Sequence, residues 1–320
     1  MSIQEIVIPL PRELTTKPRR SDRIFRGVVT VGGMASLVIL GLIALFLSVK
    51  GIHILREEKF DFISGSKWEV ITEDSGTIAE STFGIGAMLV GTLLCSLIAI
   101  AIGVPIAVLS ALYLTFYAKG LVKNALISLV DLMAAFPSLL YGFWGCFIFM
   151  SSAEYWAKLI NKYLGFIPLF ELKPYIVTRS PFVAGVVLAI MIIPIITSVS
   201  REIFSQTPLD RVQAAYALGA TRWQTVSKQV LPSAIPGIAT GSILGVSRAL
   251  GESAPLILLG ALAYVSSNPS GYSSDYTVLP LIIMKYVQEA QEEFRAVGAA
   301  AIIVLLLLLV GLNLLAIVIR

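Results

Sequence analysis

Charge is scarce in this chain: Asp, Glu, Lys and Arg make up 14% of its 320 residues, against 57% hydrophobic residues. Soluble domains carry about a quarter charged residues, so this composition excludes an ordinary soluble domain and indicates an integral membrane protein. The mean hydropathy of +0.86 agrees. Histidine occurs once, at His53, which excludes a His-based metal site. Both cysteines, Cys95 and Cys146, fall in apolar stretches, where they act as small hydrophobes and no disulfide is expected. There is no G-x-x-x-x-G-K-[ST] phosphate loop, so the chain does not hydrolyse a nucleotide by that route. The lack of a His/Cys cluster or a second nucleophile–base pair disfavours a membrane-embedded enzyme. The net charge of +4 is modest. Its basic residues sit at the N-terminus and in short loops, which reads as a membrane orientation signal rather than a nucleic-acid surface.

What the chain does have is long apolar runs. Six spans are expected, at 27–49, 83–116, 121–150, 181–199, 232–264 and 296–319. At about 1.5 Å per residue the first reaches about 34 Å, enough to cross, and it is too long for the core of a cleaved signal peptide. The second and third are too long for one straight crossing and too short for two. Pro105 and Pro137 are expected to bend them, and Pro194 and Pro255 fall inside two further spans. Arg12, Lys17, Arg19, Arg20, Arg23 and Arg26 precede the first span, and acidic residues gather after it. With six spans both termini share a side, and the positive-inside rule makes that side the cytoplasm.

Between the fourth and fifth spans lies a polar strip, TPLDRVQAAYALGATRWQTVSKQVLP, at 207–232. Thr207 is expected to cap a helix that begins at Pro208, with Asp210 in its first turn. Gln213, Ala214, Ala215 and Ala217 give that helix a small face, and Gly219 offers the left-handed residue that ends it. Thr221 followed by Gln224 predicts a capping box for a second helix running to Pro232. Two readings remain: an amphipathic hairpin that tiles the headgroups, or a surface that docks a cytoplasmic partner.

Charge also occurs inside the membrane. Arg248 and Glu252 stand at i, i+4 in the fifth span, on one helical face. An unpaired arginine at mid-depth costs about 2.5–3.5 kcal/mol, so the pair either locks helix packing or faces an anionic substrate. Arginine suits an oxyanion because its planar fork donates two parallel hydrogen bonds. Asp131, in the third span, can pair with a basic group from another helix, take part in gating, or make a plain polar contact. Ser138 and Ser253 can donate hydroxyls to an oxyanion, although serines in membrane helices more often bond their own backbone.

Gln213-Ala-Ala, Gly219 and Val230-Leu-Pro resemble the E-A-A, Gly, I-x-L-P loop of binding-protein-dependent ABC importers, with Gln213 in place of the acid. The segment R-A-L-G-E-S-A-P at 248–255 resembles the R-A-x-G-E-[ST] segment of the membrane subunits of bacterial phosphate (Pst) importers. L-M-A-A-F-P-S-L-L-Y-G at 132–142 and A-I-M-I-I-P at 189–194 agree, and the likeness runs over roughly 80–320. The Y-G-F-W-G and I-M-I-I-P segments lean to the PstC type; G-E-S-A-P-L and Q-E-E-F lean to the PstA type. PstC is favoured.

The resemblance implies an all-α integral membrane chain of six transmembrane helices, with the type I ABC importer permease fold and a cytoplasmic coupling helix. It divides the chain into a cytoplasmic arm (1–26), a first transmembrane helix (27–49), an extracytoplasmic segment (50–82) and a five-helix core (83–320) holding the coupling hairpin (207–231). Gln213, Ala214, Ala215, Ala217, Gly219 and Arg222 would meet the ATPase. Arg248, Glu252, Ser253, Asp131 and Ser138 would line the pathway. The implied partners are a second permease subunit, two PstB-type ATPase subunits that carry ATP and Mg, a PstS-type phosphate-binding protein and membrane lipids. No cofactor is expected in this chain. The outward segments, with Trp68, Tyr155, Trp156 and Tyr163, would meet the binding protein or anchor at the interface. A sulfate or molybdate permease stays close, and an ion-coupled secondary transporter is a more distant alternative.

Overall fold

The computed structural model describes residues 20–66, 68–72, 78–172, 177–261, 268–269 and 271–319. The chain divides into two units, one ending at Phe46 and the other beginning at Leu47. The first apolar run lies within α1 (Arg20–Glu57), which extends eight residues past the expected end of that span. A short helix α2 (Asp61–Ser64) follows, then an antiparallel hairpin of β1 (Trp68–Thr72) and β2 (Ile78–Phe83). The chain is therefore helical apart from this one small sheet among the described residues, and Phe83 closes a strand rather than opening the second span.

That span is α3 (Gly86–Leu112), which passes through Pro105 and runs on as a π-helical turn to Tyr117. The third expected span is not one bent helix. Its residues form α4 (Gly120–Ala135) and α5 (Ser138–Trp144), the latter continuing through a π turn into α6 (Met150–Leu164), and the two parts meet at 101°. Proline disfavours helical geometry in the residue before it. Phe136 is accordingly extended (φ −66°, ψ 138°), and Pro137 caps a new helix instead of bending the old one.

α7 (Pro181–Ser205) carries the fourth span and α8 (Leu209–Ala217) the first half of the polar strip. α9 (Arg222–Thr225) runs through a π turn into α10 (Leu231–Gly251), so the second hairpin helix is the start of the fifth span. α10 stops at Gly251, earlier than expected. Pro255 opens a separate short helix, α11 (Ala254–Leu258), at a position where its missing N–H costs nothing. α12 (Leu279–Val287) precedes α13 (Glu292–Ile319), which begins four residues before the expected sixth span. Among the described residues five helices are long and apolar enough to cross a membrane, and the broken α4/α5–α6 pair makes a sixth candidate.

α7 is the centre of the larger unit. Thr197 of α7 donates to the Ala107 carbonyl of α3 (3.3 Å), the Phe204 and Phe116 rings meet edge-on, and a Cβ on Gly185 would strike Ile98. Residue numbers rise together, so α3 and α7 are parallel. α10 packs on α7 through Gly237, Gly241 and Gly245, whose Cβ positions would lie 2.7–2.8 Å from Ile203, Val199 and Ile196. Here the numbers run oppositely, so α10 is antiparallel. A small residue every fourth position lets two membrane helices approach closely. The alternation agrees with the expected up–down order, and the ends of α3 and α7 and the start of α10 share one end of the bundle. There Ala111, Phe204, Val226, Val230 and Ala234 form a cluster. A second cluster, with Phe62, Phe83, Ile85, Leu279 and Val297, closes α2, β2, α12 and α13 around the beginning of α3.

Candidate functional site

Arg248 sits in the last turn of α10, where a cation also complements the helix dipole. Its Nε donates to Glu252 Oε1 at 3.2 Å. The expected pair is therefore formed, but not on one continuous helical face: Glu252 lies just past the helix end in extended geometry (φ −80°, ψ 129°). Gly245, one turn before Arg248, packs on Ile196 and Ile192, near the midpoint of the 25-residue α7. The guanidinium is thus close to mid-depth of the bundle. The carboxylate is the more buried partner, at 16% side-chain exposure against 41% for the arginine. An arginine this exposed, at this depth on an apolar flank, needs an aqueous or protein neighbour rather than lipid.

Two chain breaks converge beside this pair. α5 packs on α11, and a Cβ on Gly142 would lie 2.7 Å from Pro255 Cα. Ser138 begins α5, and Ser253 occupies the capping position of α11, where its carbonyl accepts from Leu256 and Ile257. Both serines are half-buried. Tyr141 of α5 donates its hydroxyl to the Met133 carbonyl at the end of α4. Composition alone did not single out Tyr141; its position four residues after a proline break is the signal that could have done so.

Asp131 has a different partner. Its Oδ1 lies 3.7 Å from Nη2 of Arg201, on α7. Among the readings open in the sequence, the structure has the one in which it pairs with a base on another helix. Arg201 lies two residues past the expected end of the fourth span, but α7 continues to Ser205 and carries it. Ile203 and Phe204 beyond it were the sign that the helix had not ended.

The polar strip has well-defined ends. Pro208, not Thr207, is the capping residue of α8, and no side-chain cap forms there, because proline's own geometry (φ −56°, ψ 124°) starts the helix at Leu209. At the other end Gly219 adopts φ +81°, its N–H reaches the Tyr216 carbonyl, and the Ala220 N–H reaches that of Ala215. These two bonds make a Schellman ending. The capping box is formed: Thr221 Oγ1 accepts from Gln224 N (3.3 Å), and Gln224 Oε1 accepts from Thr221 N (2.8 Å). α8 has no buried residue; Gln213, Ala214, Ala217, Gly219 and Arg222 are exposed and Ala215 is half-buried. Beside it lies a depression of about 330 Å³ bordered by Leu218, Gly219, Gln224 and Lys228. The Arg222 guanidinium stands 5.0 Å from the centre of the Tyr117 ring, tying the strip to the end of the second span.

Residues 103–320 match the family described as binding-protein-dependent transport system inner membrane component. The chain belongs to that family. It is 36% identical over 261 residues to the phosphate transport system permease protein PstC 2 of Mycobacterium bovis, covering 81% of this chain and 79% of that relative. It is 31% identical over 304 residues to PstC of Xylella fastidiosa strain 9a5c, covering 90% and 88%. The fold is also similar to a chain of a bacterial alginate ABC transporter solved with a pentasaccharide-bound periplasmic protein. The TM-score is 0.56 over 93% of this chain and 96% of that one, and at 16% identity this bears on the fold alone. The chain is an ABC-importer permease, a multi-pass inner-membrane protein related to PstC subunits, and not an enzyme; ATP hydrolysis belongs to partner subunits.

Proposed function

We propose that this permease carries inorganic phosphate into the cytoplasm by alternating access, as one of two membrane subunits driven by separate ATPase subunits. The observation that carries the reading is Arg248: a half-exposed guanidinium near mid-depth, held by Glu252, in a chain related to PstC proteins. In this reading the planar fork meets the phosphate oxygens, and Glu252 orients it and competes with the anion until the site opens. Ser138 and Ser253, on the two short helices that pack together, supply hydroxyls beside it. The partners are a PstA-type permease, two PstB-type ATPase subunits holding ATP and Mg, and a PstS-type binding protein on the outer face.

Both termini are cytoplasmic in this proposal, with residues 1–26 as an arm, 27–49 as the first crossing, 50–82 outside and 83–320 as the transport core. Residues 207–231 are then cytoplasmic, and α8 rests on the ATPase through Gln213, Ala214, Ala215, Ala217, Gly219 and Arg222. The exposed small-residue face and the adjoining depression support that role. Rocking of one permease subunit against the other would expose the Arg248 site to each side in turn.

The test is ATP-driven uptake into proteoliposomes holding the whole complex, with phosphate, sulfate and molybdate supplied separately. Phosphate should be taken up and the others should not compete at equal concentration. Arg248→Ala should abolish uptake while the ATPase subunits still copurify. Preferential uptake of sulfate or molybdate would reassign the substrate, and undiminished uptake by Arg248→Ala would remove that residue from the pathway.

A further inference from the structure

The arginine near the end of α7, Arg201, is only half used. Arg201 reaches Asp131 through Nη2 at 3.7 Å, beyond hydrogen-bond range, while its Nη1 is buried with no hydrogen-bond partner among the described residues. Asp131 is 54% exposed and the arginine 25%. The nearest acid in sequence, Glu202, is engaged by Gln206 at 3.0 Å. A pair kept only to hold α4 on α7 would close the fork on the carboxylate. Leaving a buried charged N–H unmade is costly, so an open fork is a place where an acceptor is missing.

Position adds to this. Both arginines border the same broken segment: the Arg248–Glu252 pair directly precedes α11, which packs on α5, and Arg201 faces Asp131 of α4. Along α7, Arg201 lies nine residues beyond Ile192, which marks the Arg248 level. That is about 13 Å nearer the end that carries the polar strip.

We propose that Arg201 is a second oxyanion station on the inner half of the pathway, with Asp131 as its displaceable counter-charge. An oxyanion leaving Arg248 would take both Nη groups of the fork, displacing Asp131, whose return then expels it. A station without such a competitor would trap a doubly charged ion. This rests on the phosphate-import reading above.

The test uses inorganic phosphate and the whole reconstituted complex. In Asp131→Asn the competitor is gone: equilibrium phosphate binding to the detergent-purified complex should tighten roughly tenfold, and uptake should slow. Arg201→Met combined with Asp131→Leu replaces the pair by an apolar contact, which preserves a purely structural tie. Uptake by that variant should fall at least tenfold, with the ATPase subunits still copurifying. Wild-type uptake in the apolar double variant would overturn the station, and so would unchanged or weaker phosphate binding in Asp131→Asn. If the double variant does not assemble, the Asp131→Asn binding measurement decides alone. A wild-type complex that moves no phosphate would instead refute the import reading itself.

Discussion

The hydroxyl of Tyr141 donates to the carbonyl oxygen of Met133, eight residues earlier and on the far side of the break between α4 and α5. A helix that ends inside the membrane strands its last carbonyls, where no water reaches them. Tyr141 adds a second donor to the Met133 carbonyl, which also accepts from the Phe136 N–H at 3.2 Å, and its ring is buried where α5 meets the core. The break is thus a built feature with its own side-chain cap, on a helix that packs against α11.

Tyr141→Phe removes that cap and leaves the ring. It should destabilise the break by roughly 0.5–1.5 kcal/mol, the net worth of one hydrogen bond, because the Met133 carbonyl keeps its bond from the Phe136 N–H. A thermal-melt comparison of the purified complex should show a lower midpoint, with reduced uptake. An unchanged midpoint would mean that the Phe136 N–H alone suffices for the Met133 carbonyl.

Gly241→Ala places a methyl group 2.7 Å from Val199 Cγ1, in the middle of the α7–α10 seam. Overpacking of this kind costs about 1–3 kcal/mol. Gly311→Ala, where an added Cβ meets nothing within 4 Å, is the control. Yield of monodisperse complex should fall for the first and hold for the second. Equal yields would show that the seam can open without loss.

Within this chain Gly219 is needed for its left-handed backbone, because no atom of the chain lies within 4 Å of an added Cβ. Asparagine adopts that conformation readily and valine does not, at a cost of about 1–2 kcal/mol. Gly219→Asn should therefore keep the ratio of phosphate moved to ATP hydrolysed, and Gly219→Val should lower it. If valine couples as well as glycine, the Schellman ending has no part in docking.

Thr221→Ala deletes one side of the capping box and should cost about 1 kcal/mol of local stability. Thr221→Asp retains an N-cap acceptor and should recover most of it. Hydrogen exchange at the Gln224 amide reports the difference directly, since that N–H is the one capped. Equal protection in all three proteins would show that packing at Thr225 and Val226 holds the turn without the cap.

Much of this architecture was legible in the sequence, and the parts that were not share a cause. The capping box at Thr221 and Gln224, the glycine ending at Gly219 and the Arg248–Glu252 pair all join residues five or fewer positions apart. Pro137 and Pro255 marked disturbances, but whether a proline bends a helix or separates two depends on what waits to receive the second piece. Here α5 and α11 receive each other, through Gly142 and Pro255. Asp131 could be read only as needing some base, and its pairing with Arg201, seventy positions away, follows from α4 lying on α7.

By itself the sequence determined that the chain belongs in a bilayer, roughly where it crosses, and that a capped polar strip separates two crossings. These follow from run length, composition and contacts within a few residues, which need no knowledge of neighbouring helices. Tertiary structure alone decided the 101° break, the early end of α10, the choice of α3 and α10 as neighbours of α7, and which acid answers Arg201. Those depend on packing between segments far apart in the chain, where a glycine stripe or a single ion pair selects one arrangement among several of similar local cost.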